Sequence, residues 1–203
     1  MNTSGPYIDE SVNRIYESLF CDNLALYENS TSDYPWDALF DESSAALGEL
    51  LINPNTDSRI KLLAAHALRK LELKPASNRL LGIVLEVNLP EGLDVLAAYR
   101  NGVATYINYT GKSIFWDTNT PVSEQLIAEL FKLGEDIQTK LSPWIHQRLS
   151  APNKDDLRLS FLTEHGLYFG QGPIPMLFND ALARPTLLAA TNLMQYLVET
   201  ELN

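Results

Sequence analysis

Only one cysteine, Cys21, occurs among the 203 residues. An internal disulfide is therefore excluded, and so is a thiolate cluster of the kind that holds structural zinc or an iron–sulfur centre. In the run SLFCDNL this residue reads as a small buried hydrophobe. Histidine is almost as scarce. His66, His146 and His165 lie far apart, and none falls in a pattern with a serine, an aspartate or a second histidine that would mark a hydrolytic or metal site. No cofactor and no metal are expected. No apolar run approaches the roughly 18 residues that span a bilayer, and the opening MNTSGPYIDE has neither a basic start nor an apolar stretch. A cytoplasmic protein with no membrane partner is the expectation.

Basic residues are missing from one part of the chain. Residues 1–58 hold eleven acidic side chains against Arg14 alone, whereas the remainder is nearly balanced, and the formal net charge is −11. Binding to nucleic acid draws on a basic footprint that releases counterions, so this balance argues against DNA or RNA as a partner. It suits a solvated acidic face or a docking surface for a protein with a basic surface.

The N-terminal third reads as helical. Ile8, Val12, Ile15, Tyr16, Leu19 and Phe20 recur at intervals of three and four. A polar break at 28–33 follows. Ser43 and Ser44 can then cap a helix carrying Leu47, Leu50, Leu51 and Ile52, which stops at Asn53-Pro54-Asn55. Thr56 or Asp57 can cap a second helix with Ile60, Leu63, Ala64, Ala67, Leu68 and Leu71 on one face. The line LGELLINPNTDSRIKLLAAHALRKL, within residues 43–73, resembles a single HEAT-type helical repeat. No second copy follows it, so a solenoid groove is not implied.

After Lys74-Pro75 the pattern changes to strands at 81–88, 93–100, 103–109 and 112–117, rich in β-branched and aromatic residues. Asn101-Gly102 predicts a two-residue type I′ turn, Thr110-Gly111 another short reversal, and Pro90-Glu91-Gly92 a third. Together they make a four-stranded meander. Thr120 and Pro121 open a long amphipathic helix through Leu141, and Ser142-Pro143 restarts a short one containing Trp144 and His146. A C-terminal hairpin turns near His165-Gly166. Gly170-Gln171-Gly172-Pro173 is a poor match to a dinucleotide loop. Helices are expected at 175–183 and 184–202. The fold class is therefore α+β: an antiparallel sheet of a four-stranded meander plus a C-terminal hairpin, with packed helices and a helical N-terminal third. An acidic helical region over 1–78 is expected to pack on an antiparallel α+β domain over 79–203. The order of elements is similar to that of profilin-like and roadblock-like domains.

With two-residue turns the register follows by counting, because side chains alternate faces. Tyr99 then falls beside Ala104, Ala97 beside Tyr106, Tyr106 beside Phe115, Asn108 beside Ser113, and Glu86 beside Val95. One face holds Leu81, Ile83, Leu85, Val87, Leu96, Ala98, Val103, Ile107, Ile114 and Trp116, the expected core. The other holds Glu86, Tyr99, Tyr106, Asn108, Ser113, Phe115 and Asp117, a mixed aromatic and polar set that becomes the candidate binding surface. Glu86 and Asn108 on central strands require partners, whether water, a covering helix or a ligand. Glu86 and Asp117 lack a neighbouring nucleophile for acid–base chemistry. The expected function is a non-catalytic protein-interaction module or adaptor; the alternative is a small-molecule-binding or enzymatic domain using one face of the sheet.

Overall fold

A computed structural model describes residues 5–27, 35–40 and 43–201. The polar break expected at 28–33 lies outside the described residues. Three helices begin at a side chain that accepts from a free backbone N–H, whereas Ser43, ahead of the helix Ser44–Ile52, makes no such bond. Asp9 accepts from Ser11 ahead of α1 (Glu10–Ser18), and Asp57 accepts from Arg59 ahead of α4 (Ser58–Lys70). Thr120 and Ser123 form a reciprocal capping box on α5 (Pro121–Gln138), which has proline as its first residue. Between α1 and α4 lie a 3-10 turn (Leu24–Tyr27), α2 (Trp36–Phe40) and α3 (Ser44–Ile52).

The strands are β1 (Leu80–Leu89), β2 (Gly92–Tyr99), β3 (Ala104–Ile107), β4 (Ser113–Trp116), β5 (Asp156–Thr163) and β6 (Gly166–Pro173). They form one antiparallel sheet in the order β4-β3-β2-β1-β5-β6, so the meander and the C-terminal hairpin join through β1 and β5. Two helices complete the chain, α6 (Ile174–Asn179) and α7 (Ala183–Glu201). The fold is α+β with a helical N-terminal part, and no helix of the described residues is long and apolar enough to cross a membrane.

Both faces of the sheet are covered. The front face packs Val84, Val95, Ala97, Tyr99 and Ile107 against Val12, Tyr16 and Leu19, and against Leu47, Ile60, Leu63 and Ala67 of α3 and α4. The back face packs Ile83, Leu85, Leu96, Ala98, Tyr106, Leu159 and Phe161 against α5 and α7. Gly134 lets α5 cross close to the sheet, since a Cβ there would lie 2.7 Å from the Ile83 side chain. The sheet is therefore the middle of three layers, and no face is left for solvent.

The register differs from the expectation, and the turns are the reason. Glu86 does pair with Val95. From there on the meander is displaced by one residue: Ala104 pairs with Ala98 rather than Tyr99, Tyr106 with Leu96 and Ile114 rather than Ala97 and Phe115, and Ser113 with Ile107 rather than Asn108. The β2–β3 loop has three residues, not two. The Tyr99 N–H donates to the Val103 carbonyl (2.8 Å), the Gly102 N–H donates to the Tyr99 carbonyl (3.0 Å), and Gly102 alone takes a positive φ, +93°. This is the type I turn followed by a left-handed glycine, not the type I′ turn that needs Asn101 left-handed as well. Asn101 instead donates its side-chain amide to Asp57, tying the turn to the cap of α4 (3.0 Å). The β3–β4 loop repeats the device with Gly111 at +87°. Val103 and Ile107 consequently join the front core rather than the back one.

A second correction concerns 142–146, where a short helix was expected. The chain after α5 is instead an extended strap. The Trp144 N–H donates to the Leu167 carbonyl (2.8 Å) as an isolated bridge to β6, and the Trp144 indole N–H donates to the Gln147 carbonyl (2.9 Å). These bonds replace the helical ones.

If the left-handed glycine sets the meander, Gly102→Ala destabilises the protein by about 1–3 kcal/mol. It places a side chain at positive φ, 2.1 Å from the Asn119 side-chain oxygen. Urea unfolding should show a lower midpoint; an unchanged one contradicts this account of the turn.

Candidate functional site

The seven residues expected to share a surface do not share one. Glu86 is fully buried at the centre of the front face, where the Tyr16 hydroxyl donates to its Oε1 (2.6 Å) and Arg158 Nη1 stands 3.4 Å from its Oε2. Tyr99 is buried nearby and donates to the Leu19 carbonyl (2.7 Å). Both lie beneath the N-terminal helices. Phe115 is on the front side of the edge strand and 63% exposed, Ser113 precedes it, and Asp117 is exposed beyond the strand's end. Asn108 Oδ1 accepts from the Thr110 N–H (3.0 Å), the Thr110 hydroxyl (2.7 Å) and the Lys112 N–H (3.1 Å), so its role is to bind the β3–β4 turn. Tyr106 points to the opposite face.

The Glu86 cluster is structural in its bonding. Arg158 is itself buried, donating Nε to Gln171 (2.8 Å) and Nη2 to the Ser150 carbonyl (2.7 Å). A buried ion pair of this kind is stable only when its remaining donors and acceptors find partners, which the strap carbonyls supply. Losing the Tyr16 donor would cost about 1.5–3 kcal/mol, as for other hydrogen bonds to a charged group.

Tyr106 leads to a different site. On the back face, Leu85, Val87, Leu89, Leu96 and Tyr106 meet Ile174 and Phe178 of α6 and Ala190, Thr191 and Met194 of α7 around a cavity of about 260 Å³. α5 and the body of α7 fill the rest of this face, whereas this corner is roofed only by the short α6 and the middle of α7. One charged group lines the cavity, Asp94. Its Oδ2 accepts from the Tyr106 hydroxyl (2.8 Å) and its Oδ1 from the Tyr109 N–H (2.7 Å). Burial and the Asp94 carboxylate together raise the Tyr106 pKa, so the phenol keeps its proton and stays a donor to Asp94.

The cavity has the composition of a ligand pocket, with apolar walls and a single polar end. The Thr191 hydroxyl donates to the Leu187 carbonyl (2.8 Å), which is not a base, and the Tyr106 phenol keeps its proton against Asp94 because its pKa is raised. Cys21 lies elsewhere and is fully buried, and burial pushes its thiol up to about 12. No group of three or more His, Cys, Asp or Glu is arranged to hold a metal ion among the described residues.

Counting with two-residue turns separated Tyr106 from Leu96 and left Asp94 out altogether. The signal for Asp94 was present: it alternates with Leu96 and Ala98, so an acid stood on an otherwise apolar back-face row. The α6 roof had no comparable signature.

Burial raises the pKa of Glu86, and outweighs Arg158 and Tyr16, which lower it. The folded state thus holds the Glu86 proton more tightly than the unfolded chain does, so this contribution to stability is complete in acid and is lost as pH rises through the raised folded-state value. Glu86→Gln keeps the shape and cannot ionise. Its stability relative to the parent protein is expected to grow between about pH 4 and about pH 8, measured by urea unfolding; a difference that shrinks with pH contradicts the assignment. Comparison with family models, curated proteins and solved structures finds no match to this chain, so the chemistry of the site stands on its geometry.

Proposed function

We propose that the protein is a non-catalytic binding module whose back-face pocket takes a small apolar molecule bearing one hydrogen-bond donor. The observation that carries this reading is the pairing of continuous apolar walls with Asp94 at one end. Each carboxylate oxygen has two lone pairs, and Tyr106 and Tyr109 use one on each, which leaves Asp94 able to accept from a ligand. An alcohol or amine head suits that end. A fatty acid does not, since its carboxylate would meet a second one. Burial of the ligand's apolar part contributes about 25 cal/mol per Å² removed from water.

A second reading is an adaptor that docks another protein. It is favoured by Met176, Leu182 and Leu188, exposed apolar side chains carried by α6, the following loop and α7. A partner with a basic surface would also suit the acidic balance of the chain.

Thermal unfolding with 1-octanol, octylamine and octanoate tests the first reading. The alcohol and the amine are expected to raise Tm, and octanoate is not. Met194→Trp, which fills the cavity, should abolish the shift, as should the milder Thr191→Leu. Asp94→Asn should erase the preference over octanoate. Shifts untouched by all three substitutions, or an equal shift with octanoate in the parent, overturn the pocket as the site. Absent any shift, cross-linking of a partner protein through α6–α7 would support the adaptor.

A further inference from the structure

All three histidines of the chain, though 80 and 19 residues apart in sequence, line one cleft that is separate from the back-face pocket. Its volume is about 520 Å³. α4 contributes His66, Arg69 and Lys70, the strap contributes Trp144, His146 and Arg148, and the β5–β6 turn contributes His165. Asp22 is the one acidic side chain on the lining.

The charges do not cancel. Arg148 is ion-paired with both Glu17 and Asp22, which uses the acid available there. Arg69 and Lys70 have no carboxylate within ion-pair distance among the described residues. Arg69 is nonetheless held in place by its Nη1, which donates to the Glu164 backbone carbonyl (2.6 Å), and its other guanidinium N–H groups have no partner among the described residues. In a chain of net charge −11, two uncommitted cations side by side in a concavity form a local positive focus.

His66 adds a second observation. Its Nε2 is buried and has no hydrogen-bond partner among the described residues. Burial, with Arg69 and Lys70 beside it, pushes its pKa down to about 4, so the ring is neutral near pH 7. A buried polar atom left unpaired costs about 1–3 kcal/mol, and native proteins rarely carry one without a use. His165 is already engaged, its Nε2 donating to the Pro75 carbonyl (3.1 Å). Trp144 packs edge-on against His146 and Phe169 and gives the cleft an aromatic wall.

We propose that this cleft binds a phosphate-bearing small molecule, with Arg69 and Lys70 holding the phosphate, His66 supplying a further hydrogen bond, and Trp144 contacting the remainder. A guanidinium fork and an ammonium are the groups that recognise phosphate oxygens. The cleft is closed on one side by the strap, and the surrounding protein is negative, which disfavours a nucleic-acid strand and leaves room for a compact anion. The site is separate from the back-face pocket and shares no lining residue with it.

The test is titration calorimetry with inorganic pyrophosphate and with glucose 6-phosphate, beside uncharged glucose. The expected result is saturable one-to-one binding of at least one phosphate compound and none of glucose. Lys70→Glu, on an exposed side chain that carries no structural bond, should weaken binding about tenfold or more. Arg69→Gln should do the same, and Lys132→Glu, on α5, should leave binding unchanged. Trp144→Phe should remove the fluorescence change that accompanies binding. The proposal is overturned if neither phosphate compound binds at millimolar concentration, if Lys70→Glu binds as the parent does, or if Lys132→Glu weakens binding equally.

Discussion

The constraint on which the rest of the structure depends is the length of two reversals. Gly102 and Gly111 each take the left-handed conformation after a type I turn, making three-residue loops on either side of β3. Strand side chains alternate with period two, so adding one residue to a loop inverts the next strand completely. That inversion sends Tyr106 to the back face, where Asp94 waits for its hydroxyl, and sends Thr105 and Ile107 to the front. The second loop compensates in part, placing Ile114 and Trp116 on the back and leaving Phe115 at the front edge. Both hydrophobic cores and the apolar pocket follow from this count.

Much of the architecture was legible in the sequence. The order of elements, the caps at Asp57 and Thr120, the amphipathic stripes of α1, α4, α5 and α7, and the pairing of Glu86 with Val95 all rest on local rules that the folded chain obeys. Asn-Gly announced a turn correctly and its type wrongly, because Asn101 spends its amide on Asp57, 44 residues away, rather than on a left-handed backbone of its own. Of the partners open to Glu86, the covering helix is the one the folded chain supplies, and the shared face failed as a set because Tyr106 was counted onto it. Val84, Val95 and Ala97, which share the face of Glu86 and Tyr99, make it a second core once Tyr106 is removed. The strap was illegible because its conformation is set by bonds to remote partners: Leu167, Asp22, Glu17 and Arg158. Three histidines with no spacing pattern converge only through that strap.

Glu86, first considered as part of a binding surface, has its physical meaning here. Its ion pair with Arg158 sits at the middle of the front core, and Arg158 in turn donates to the carbonyls of Leu149 and Ser150. One buried cluster therefore joins α1, the central strand β1, strand β5 and the strap. The wall that carries Trp144, His146 and Arg148 is thus anchored in the core rather than laid over the surface. The molecule divides its chemistry accordingly, with an apolar cavity ending in an acid behind the sheet and a cationic, aromatic cleft along the edge of α4.

The direction of Tyr106 is the most direct measure of the account. In a methyl-labelled sample, nuclear Overhauser contacts from the Tyr106 ring protons should reach the Met194 and Leu96 methyl groups, which line the same cavity. Contacts to Leu19 or Val84 instead would put Tyr106 on the front face and contradict the three-residue reversals, the Asp94 bond and the pocket together.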